Sequence, residues 1–504
     1  MSRAEQGWSG GWVGDRLGVA VAARHGPVAA GDAARLSVTD LAGLAVRRNP
    51  KRAHLVVSRV LGKHVPVQPW MAISAGRLLG RRCVARIADQ DPDAGGDLVA
   101  VDDPADVAAE QALITGLRGG TGLRDGTGLR DGRSLPATRQ AAGGAAAAQG
   151  SCAGVPSRVV VLGYAETATA LGHLVADAFE DARYLHSTRR RVPGCPPIGS
   201  FVETHSHATT HLLLPADPAW FASGAPVVVV DDELTTGRTA LATIREIQAI
   251  RPRERYLIAT LLDLRGAEDR ARLASAAGEL GTRIDVVALV TDELTVPDDI
   301  LERGRRLVDE LECPDQLPTS APAALRRIDP PWPQRLPHGG RHGFAADHRA
   351  PLDAAVDAAA EAVRHGLCDD LTVLVLGTEE LMYAPMLIAD RLAALRSGPV
   401  LFSSTTRSPV LPVGSARYAV RTRLSFDRHD PGAAADAVRR FAYNVAPYRA
   451  EDRFDHIVVV VDDVSATPAL WGADGPVELL RRVSGGVSVV VLPAERPGWI
   501  GGLR

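Results

Sequence analysis

The sequence predicts an α/β protein with two doubly wound parallel-sheet domains. From residue 157 onward, short runs of β-branched residues alternate with Ala-rich stretches of helical character, as in RVVVLGYAETATALGHLVADAF at 158–179. Buried strands that alternate with helices form parallel sheets, because right-handed crossovers place helices on both faces. The same order of elements recurs after a Pro-rich stretch, and this predicts a second domain of the same class.

Composition limits the kind of protein. The 504 residues carry 57 basic and 60 acidic side chains, so a net charge of −3 gives no reason to expect general nucleic-acid binding. Aromatic residues make up only 4%, and the core must therefore be aliphatic. No apolar run approaches the ~20 residues of a membrane span, and the N-terminus has no signal-peptide pattern. Five scattered cysteines without CxxC spacing are predicted to be reduced thiols, which indicates a cytoplasmic protein.

Four segments are predicted along the chain. Residues 1–33 have no sustained period and are expected to form a flexible leader. Residues 34–315 form the first domain, interrupted at about 115–155 by a Gly/Ala-rich low-complexity insertion that contains a repeated hexapeptide, TGLRGG and twice TGLRDG. Residues 316–340 are a Pro-rich linker, and residues 341–504 form the second domain.

The elements of the first domain follow from their local patterns. Ser37 or Thr39 can cap a short helix, and LVVS at 55–58 is strand-like. The later segments predict a strand, a turn and a helix in 158–179, a second strand that ends in a basic cluster in 182–192, and a strand, a loop and a helix in 226–250. Further strands are predicted at 256–264 and 284–292.

Four positions of the first domain recur in the same order in the second, which predicts a duplication. The pairs are Gly163 with Gly377, Glu166 with Glu380, Thr188-Arg189 with Thr406-Arg407, and Asp231-Asp232 with Asp462-Asp463.

The segment VVVVDDELTTGRT at 227–239 carries the strongest chemical signal. A buried parallel strand delivers the adjacent carboxylates Asp231 and Asp232 to the sheet edge at which ligands of such folds bind. The turn that follows leads into a helix predicted to begin near Ala240, and its N–H and hydroxyl groups can hold a phosphate. Carboxylates accept hydrogen bonds from vicinal sugar hydroxyls, so the two parts predict a pocket for a ribose 5′-phosphate. The predicted phosphate contacts are Thr235, Thr236, Gly237, Arg238 and Thr239.

Two further strand ends carry candidate anion-binding groups. The turn at 162–167 is expected to present the N–H groups of Gly163, Tyr164 and Ala165 to a second anion. HSTRRRV at 186–192 includes Arg189 and Arg190, whose guanidinium groups would offset the charge of a leaving group, or which form a solvated edge of the sheet. A Walker A site is excluded, because the chain has no GxxxxGK and no lysine beyond position 63.

A histidine-rich segment, ETHSHATTH at 203–211, has two interpretations. His205, His207 and His211 could bind a metal, although no Cys or carboxylate set completes a zinc tetrahedron. The alternative is a mobile loop that closes over the reacting centre and excludes water.

The segment 227–239 resembles the phosphoribosyl diphosphate (PRPP) binding motif of type I phosphoribosyltransferases. The resemblance implies that Asp231 and Asp232 hold the ribose 2′- and 3′-hydroxyls and that the TTGRT loop holds the 5′-phosphate. The turn at 163–165 corresponds to the diphosphate-binding loop of that family. The family often has a second glycine where this chain has Arg238. The implied cofactor is Mg²⁺, which arrives with PRPP near the two aspartates and needs no direct protein site.

Longer stretches, such as RRNPKRAHLVVSRVLGKHVPV at 47–67 and YLHSTRR at 184–190, resemble the orotate phosphoribosyltransferase-like proteins found with bacterial tellurium-resistance gene clusters. TTRSP at 405–409 matches the signature of their C-terminal TRSP domain. The resemblance implies transfer of phosphoribosyl from PRPP to a pyrimidine- or orotate-like acceptor, with release of diphosphate, in the synthesis of a nucleoside-like metabolite. It also implies a homodimer and partners from the same gene cluster. The alternative is a catalytically silent protein that senses PRPP or a nucleotide.

The second domain keeps the acid pair Asp462 and Asp463 but has VSATPALW after it, without the phosphate loop. It is therefore predicted to be degenerate and not to hold PRPP in the same way. It is expected to close the active site, to bind acceptor or product, or to add a step through Thr406, Arg407 and Ser408. No GxSxG surrounds Ser408, and structural packing of the TRSP turn is the alternative.

Overall fold

The computed structural model of the chain describes residues 7–23, 35–89, 104–118, 158–202, 210–311, 320–430 and 439–495. Residues 35–311 are called the first half below, and residues 320–495 the second half. Each half contains one largely parallel sheet with helices packed on it, which confirms the predicted α/β class. No helix among the described residues has the length and apolar content that a membrane span requires.

The strands of the described residues are numbered in chain order. They are β1 (Ala20–Ala23), β2 (Ala42–Val46), β3 (His54–Ser58), β4 (Val159–Gly163), β5 (Ala182–His186), β6 (Gly199–Val202), β7 (Thr210–Leu213), β8 (Val227–Leu234), β9 (Arg255–Asp263), β10 (Arg283–Thr295), β11 (Ala324–Ile328), β12 (Val373–Gly377), β13 (Val400–Ser404), β14 (Arg423–Asp427), β15 (Arg439–Tyr443), β16 (His456–Asp462) and β17 (Gly486–Leu492).

The helices are mostly short. Those of eight or more residues are Pro69–Ala88, Pro104–Arg118, Ala168–Ala176, Arg238–Ile250, Ala267–Glu279, Ile300–Leu311, Arg349–Arg364, Tyr383–Ala394 and Pro476–Val483. Shorter helical turns span Gly11–Leu17, Val38–Leu41, Ala219–Ala222, Ala346–His348, Ala450–Asp452 and Pro468–Trp471.

The first sheet has the order β1-β10-β9-β8-β4-β5, and the second has the order β11-β17-β16-β12-β13. All neighbouring strands are parallel except β1, which pairs antiparallel with β10. The first sheet therefore holds β8 in an interior position, between β4 and β9. In the second sheet β16 has the equivalent place, between β12 and β17.

Both sheets are buried through aliphatic side chains. Alternate residues of β12 pack on opposite faces: Val373 and Val375 join a core that extends through the first half, and Leu374 and Leu376 join a separate core on the other face. This alternation explains why the strand is a continuous apolar run with few aromatic residues.

The second half packs against the edge of the first sheet. The backbone of Tyr184 on β5 exchanges hydrogen bonds of 2.8 Å with that of Phe344, and His186 N–H donates to the carbonyl of Gly340 at 2.9 Å. Gly340 lies so close to the ring of Tyr184 that a Cβ atom there would collide with it. The halves thus meet at the carboxyl ends of β4 and β5, where the candidate ligand-binding turns are found.

Three predicted segment boundaries are wrong. The predicted flexible leader contains the helix Gly11–Leu17, with Leu17 buried, and β1, which pairs with β10. The predicted insertion begins too early, because the helix Pro104–Arg118 continues through its first four residues and buries Leu117. The predicted linker contains β11, which pairs parallel with β17 and so belongs to the second sheet.

The two halves also repeat the same local hydrogen bonds after their first strand pair. Ser187 N–H donates to the carbonyl of Gly163 at 2.9 Å, and Thr405 N–H donates to the carbonyl of Gly377 at 3.0 Å. The side chain of Ser187 accepts from Ala165 N–H, and that of Thr405 accepts from Glu379 N–H in the same way. The two halves thus share these contacts and the order of four neighbouring strands, and their origin by duplication stays a prediction.

Candidate active site

A cavity of about 80 Å³ lies at the carboxyl end of β8. Asp231, Asp232 and Glu233 are half-buried and follow the four fully buried valines of β8. Asp231 pairs with Thr260 of β9, so the ladder holds the first acid in register. The cavity is lined by Arg52, Asp231, Asp232, Glu233, Leu234, Thr235, Thr236, Gly237, Arg238, Thr239 and Ala240.

The loop that closes this cavity leads directly into a helix. Gly237 has a φ of 73°, a left-handed conformation that favours glycine, and it is the N-cap of the helix Arg238–Ile250. The helix thus begins two residues before the predicted Ala240. Arg238 is helical and exposed, so this position needs no second glycine. Arg238, Thr239 and Ala240 of the first turn line the cavity, and the N–H groups of a first turn have no partner within the helix, which suits an anion site.

Arg52 and Glu233 are part of this site, and Glu233 was not predicted from the sequence. Arg52 lies in the connection between β2 and β3, and its Nη2 is 3.1 Å from Oε1 of Glu233. Burial, followed by the charge of Asp232, raises the pKa of Glu233 to about 8, although Arg52 and Lys63 oppose this shift. Period-two alternation could have identified Glu233, because it lies on the same face of β8 as Asp231.

The turn after β4 is fixed by its neighbours. Tyr164 N–H donates to the carbonyl of Val230 at 3.1 Å, and Ala165 N–H donates to Oγ of Ser187 at 3.0 Å. These two N–H groups are therefore engaged within the protein, contrary to the expectation that they are presented to an anion. The Tyr164 hydroxyl donates to Oγ1 of Thr243 at 2.8 Å and so ties this turn to the helix that follows the TTGRT loop.

Gly163, the first residue of the predicted diphosphate turn, is needed for close packing. A Cβ atom at this position would lie 2.6 Å from the carbonyl oxygen of Ala168 and 2.6 Å from the hydroxyl of Tyr184. The glycine therefore lets the end of β4 approach the start of the helix Ala168–Ala176.

The two arginines predicted at the end of β5 are not a solvated edge. Arg190 is buried, and its guanidinium donates to Asp462 at 2.7 Å and to Ser465 at 3.3 Å. Arg189 lies 3.6 Å from Oε1 of Glu166, and its backbone N–H donates to Glu380 at 2.8 Å. Both residues therefore contact the second half, and Arg190 is paired there with an aspartate.

Glu380 and Asp462 are the main anions of this contact. Burial is the largest single influence and raises the pKa of each carboxyl. The lowering by Arg341 together with its neighbours at Glu380, and by Arg190 and Arg341 with theirs at Asp462, exceeds it in sum. The pKa of each group therefore lies well below its ordinary value. Asp462 also accepts a hydrogen bond from Ser465 N–H at 2.7 Å. The first acid of the predicted second pair is therefore engaged by both side-chain and backbone donors.

The remaining predicted residues of the second half lie along the same contact. Thr406 donates to Oε2 of Glu166 at 2.8 Å, and Arg407 pairs closely with Glu379. Ser408 N–H donates to Oγ1 of Thr406 at 3.1 Å, while its own Oγ is buried without a hydrogen-bond partner. Asp463 is exposed and accepts from Ala494 N–H at 3.1 Å.

Of the three histidines, only His211 lies within the described residues. It is buried on β7, its Nδ1 lies 2.8 Å from Oγ of Ser187, and its ring stacks on Phe201. His205 and His207 lie outside the described residues. Within the described part of the chain, no three His, Cys, Asp or Glu side chains come together as metal ligands.

Comparison with known proteins identifies the first half. The profile of the phosphoribosyl transferase family matches residues 41–293, which is half of the chain. The chain belongs to the phosphoribosyl transferase family. A second profile, for the TRSP domain that lies C-terminal to this transferase domain, matches residues 338–480. The predicted phosphoribosyltransferase and TRSP domains are confirmed, whereas the link to tellurium resistance stays a prediction.

Solved structures of adenine phosphoribosyltransferases are similar to parts of this phosphoribosyl transferase. The protein from Trypanosoma brucei, in complex with AMP, pyrophosphate and ribose-5-phosphate, is 17% identical, with 26% of this chain and 56% of that chain covered and a TM-score of 0.20. The protein from Rhodothermus marinus is 20% identical, with 26% and 69% covered and a TM-score of 0.18. That from Leishmania donovani is 16% identical, with 28% and 58% covered and a TM-score of 0.20. No curated protein matches the chain.

Proposed function

We propose that this phosphoribosyl transferase moves the phosphoribosyl group of PRPP to a base-like acceptor, pyrimidine- or orotate-like, and releases diphosphate. One observation carries the proposal: Asp231, Asp232 and the TTGRT loop line the same cavity at the start of the helix Arg238–Ile250. A carboxylate pair and a helix N-terminus in one cavity match the two ends of a ribose 5-phosphate, with hydroxyls at one end and a dianion at the other.

The chemistry then requires little of the protein beyond positioning and charge. The bond between C1 of the ribose and the diphosphate oxygen breaks, and the diphosphate leaves with the electron pair. The acceptor nitrogen forms the new bond to C1 and loses its proton. Asp231 and Asp232 would hold the sugar hydroxyls and stabilise positive charge that develops on the ring, and the loop would fix the phosphate.

The residues of the cavity are compatible with Mg²⁺. Mg²⁺ is usually bound through one or two carboxylates together with phosphate oxygens of the substrate, so it needs no cluster of protein ligands. Asp231 and Asp232 are oxygen donors at the cavity wall and would be the residues that contact it. When bound, Mg²⁺ neutralises part of the charge of PRPP.

The test is PRPP-dependent release of diphosphate in the presence of Mg²⁺, measured with a panel of pyrimidine and purine bases. The Asp231→Asn, Asp232→Asn double variant should keep its melting temperature and lose at least about a hundredfold in rate. Asp298→Asn, at an exposed position after β10, is the control and should retain the activity. Unchanged release by the double variant would rule out this site.

The alternative function is a sensor of PRPP or of a nucleotide. Tight binding of PRPP with no release for any base would favour that alternative. The proposed wider role is the synthesis of a nucleoside-like metabolite in the cytoplasm, linked to tellurium resistance or stress, with partners from the same gene cluster and with self-association as a homodimer.

A further inference from the structure

We propose that Tyr418 of the TRSP domain is a positioning residue for the PRPP cavity, because it fixes the hairpin β2–β3 that carries Arg52 to the cavity wall. This inference rests on the proposed function, and it gives the TRSP domain a task at a site that lies in the first half. Tyr418 is not among the residues that line the cavity, so it would act through Arg52 and not on the substrate itself.

The hairpin β2–β3 lies outside the two main sheets. Its two strands pair antiparallel with each other along their whole length and form a two-stranded sheet of their own. Arg47 N–H donates to the carbonyl of Ala53 at 2.8 Å and so closes the connection between the strands. Arg52 directly precedes Ala53, and the position of its backbone therefore follows that of the hairpin.

A segment of the second half lies along this hairpin as an edge strand would. Leu411 N–H donates to the carbonyl of Val46 at 3.0 Å, and Arg48 N–H donates to the carbonyl of Pro409 at 3.2 Å. An antiparallel bridge lies between these two hydrogen bonds. The second half thus pairs with the end of β2 through backbone groups, at the point where the chain enters the connection that bears Arg52.

The hydroxyl of Tyr418 joins the two segments at the same point. It accepts a hydrogen bond from Val46 N–H at 2.7 Å and donates one to the carbonyl of Leu411 at 2.7 Å. Tyr418 is buried, and its ring meets that of Trp12 edge to face with the centroids 5.3 Å apart. A buried backbone N–H or C=O without a partner is costly, so this one hydroxyl satisfies a backbone group of each half and ties them together.

At its other end the hairpin reaches the cavity through Arg52. Nη2 of Arg52 lies 3.1 Å from Oε1 of Glu233, and the two side chains are 13% and 12% exposed. The helix Ile300–Leu311 packs closely against the same connection, because a Cβ atom on Gly304 would collide with that of Ala53. A shift of the hairpin would therefore move Arg52 relative to the cavity wall.

The placement of Arg52 matters because of the charges around it. The cavity wall carries the carboxyl groups of Asp231, Asp232 and Glu233, and the proposed ligand is a phosphorylated sugar with several negative charges. A cation beside these carboxyl groups offsets part of their repulsion of the ligand, and it does so only at short range. PRPP binding should thus depend on the position of the hairpin and, through it, on Tyr418.

The first measurement is amide hydrogen exchange of the full chain without ligand, followed by mass spectrometry over residues 47–53. Tyr418→Phe keeps the ring and removes both hydrogen bonds of the hydroxyl, so this segment should exchange at least about tenfold faster than in the wild type. Tyr383→Phe is the matched control. The Tyr383 hydroxyl is also buried and also joins the two halves, through a 2.7 Å hydrogen bond to Asp177, but that bond ends at the helix Ala168–Ala176 and not at the hairpin. Exchange over 47–53 should be unchanged in the control.

The second measurement is the dissociation constant of PRPP with Mg²⁺ in a double-mutant cycle. Arg52→Gln should weaken PRPP binding by about fivefold, the effect of one nearby charge. Tyr418→Phe should weaken it by about threefold in the wild-type background and by less than about 1.5-fold in the Arg52→Gln background, because its effect passes through Arg52. Tyr383→Phe should bind PRPP like the wild type.

Unchanged exchange over 47–53 in Tyr418→Phe would overturn the inference. Effects of Tyr418→Phe and Arg52→Gln that add in full would also overturn it, since Tyr418 would then not act through Arg52. If Tyr418→Phe fails to fold, the wild type decides: PRPP should slow exchange over 47–53, and protection of the loop 235–239 alone would contradict the inference. A wild type that binds no PRPP would contradict the proposed function, and the comparison of exchange without ligand would still decide whether Tyr418 holds the hairpin.

Discussion

Glu166 accepts a 2.8 Å hydrogen bond from the hydroxyl of Thr406, which follows it by 240 residues. The reverse contact is also present, because Glu380 of the second half accepts a 2.6 Å hydrogen bond from the hydroxyl of Thr188. In each half, the glutamate of the turn after the first parallel strand therefore accepts a hydrogen bond from a threonine of the other half. The contact is thus made twice, once in each direction, as between the two subunits of a symmetric dimer.

The reciprocal contact predicts a large stability difference between two glutamate substitutions. Glu380→Gln removes a buried charge that faces Thr188, Arg189 N–H and Arg341, so it should lower the free energy of unfolding by about 3 kcal/mol or more. Glu302→Gln removes an exposed helix pair with Arg306 and should cost less than about 0.5 kcal/mol. Urea unfolding of both variants at neutral pH checks this. Equal, small losses would mean that the contact contributes little to stability.

The same buried carboxylates predict sensitivity to acid. The pKa values of Glu380 and Asp462 lie well below the ordinary values of 4.5 and 3.8, so the unfolded chain binds more protons at these sites than the folded one. Their contribution to stability is complete above those ordinary values and is lost as the pH falls below them. The free energy of unfolding, measured from pH 7 to pH 3, should fall less steeply in Glu380→Gln than in the wild type. Identical slopes would contradict the prediction.

The sequence predicted the parts of the fold that depend on local pattern. The runs around β4, β8, β9 and β10 are largely apolar and contain β-branched residues, and all are strands in the structure, as is the more polar β5. The missed elements were short or weakly patterned: β1 is four residues of AVAA that become a strand by pairing with β10, and β11 is largely exposed. Their pairing partners lie far away in the sequence, where local propensity carries no information.

In the candidate site, too, the sequence predicted what one contiguous segment carries and not what depends on distant contacts. The acids at Asp231 and Asp232 and the loop after them were found because one contiguous segment carries both. Glu233 was not assigned to the cavity, and its contact with Arg52 joins residues 181 positions apart, which a local pattern does not reveal. The partners of Arg190 and Thr406 depend on how two domains dock, and a single sequence does not reveal that.

Two glycine-to-alanine substitutions, at Gly237 and Gly278, are expected to have opposite effects on stability. The φ of 73° at Gly237 disfavours any residue with a Cβ, so Gly237→Ala should cost about 1 kcal/mol of stability and weaken binding of ribose 5-phosphate at the loop. Gly278→Ala lies inside the helix Ala267–Glu279 with nothing within 4 Å of the added Cβ, and it should stabilise the protein by about 0.5–1 kcal/mol. Thermal unfolding and calorimetry of both variants measure these effects. Full ligand binding by Gly237→Ala would show that the loop does not need the left-handed conformation.

The raised pKa of Glu233 predicts a pH dependence of PRPP binding. Below its pKa of about 8 the carboxyl is mostly protonated, and above it the group ionises and adds a negative charge to the wall of a cavity proposed to hold a phosphorylated sugar. PRPP binding should therefore weaken between pH 7 and pH 9 in the wild type, by about fivefold for one nearby like charge. Glu233→Gln should remove this additional decline, because the amide keeps the shape of the side chain and does not titrate.

The control is Glu302→Gln, which is exposed on the helix Ile300–Leu311. Its affinity for PRPP should decline like that of the wild type. The dissociation constants of all three proteins at both pH values decide the matter, since any titration of PRPP itself is common to them. The same ratio in Glu233→Gln and in the wild type would mean that Glu233 does not face the bound substrate.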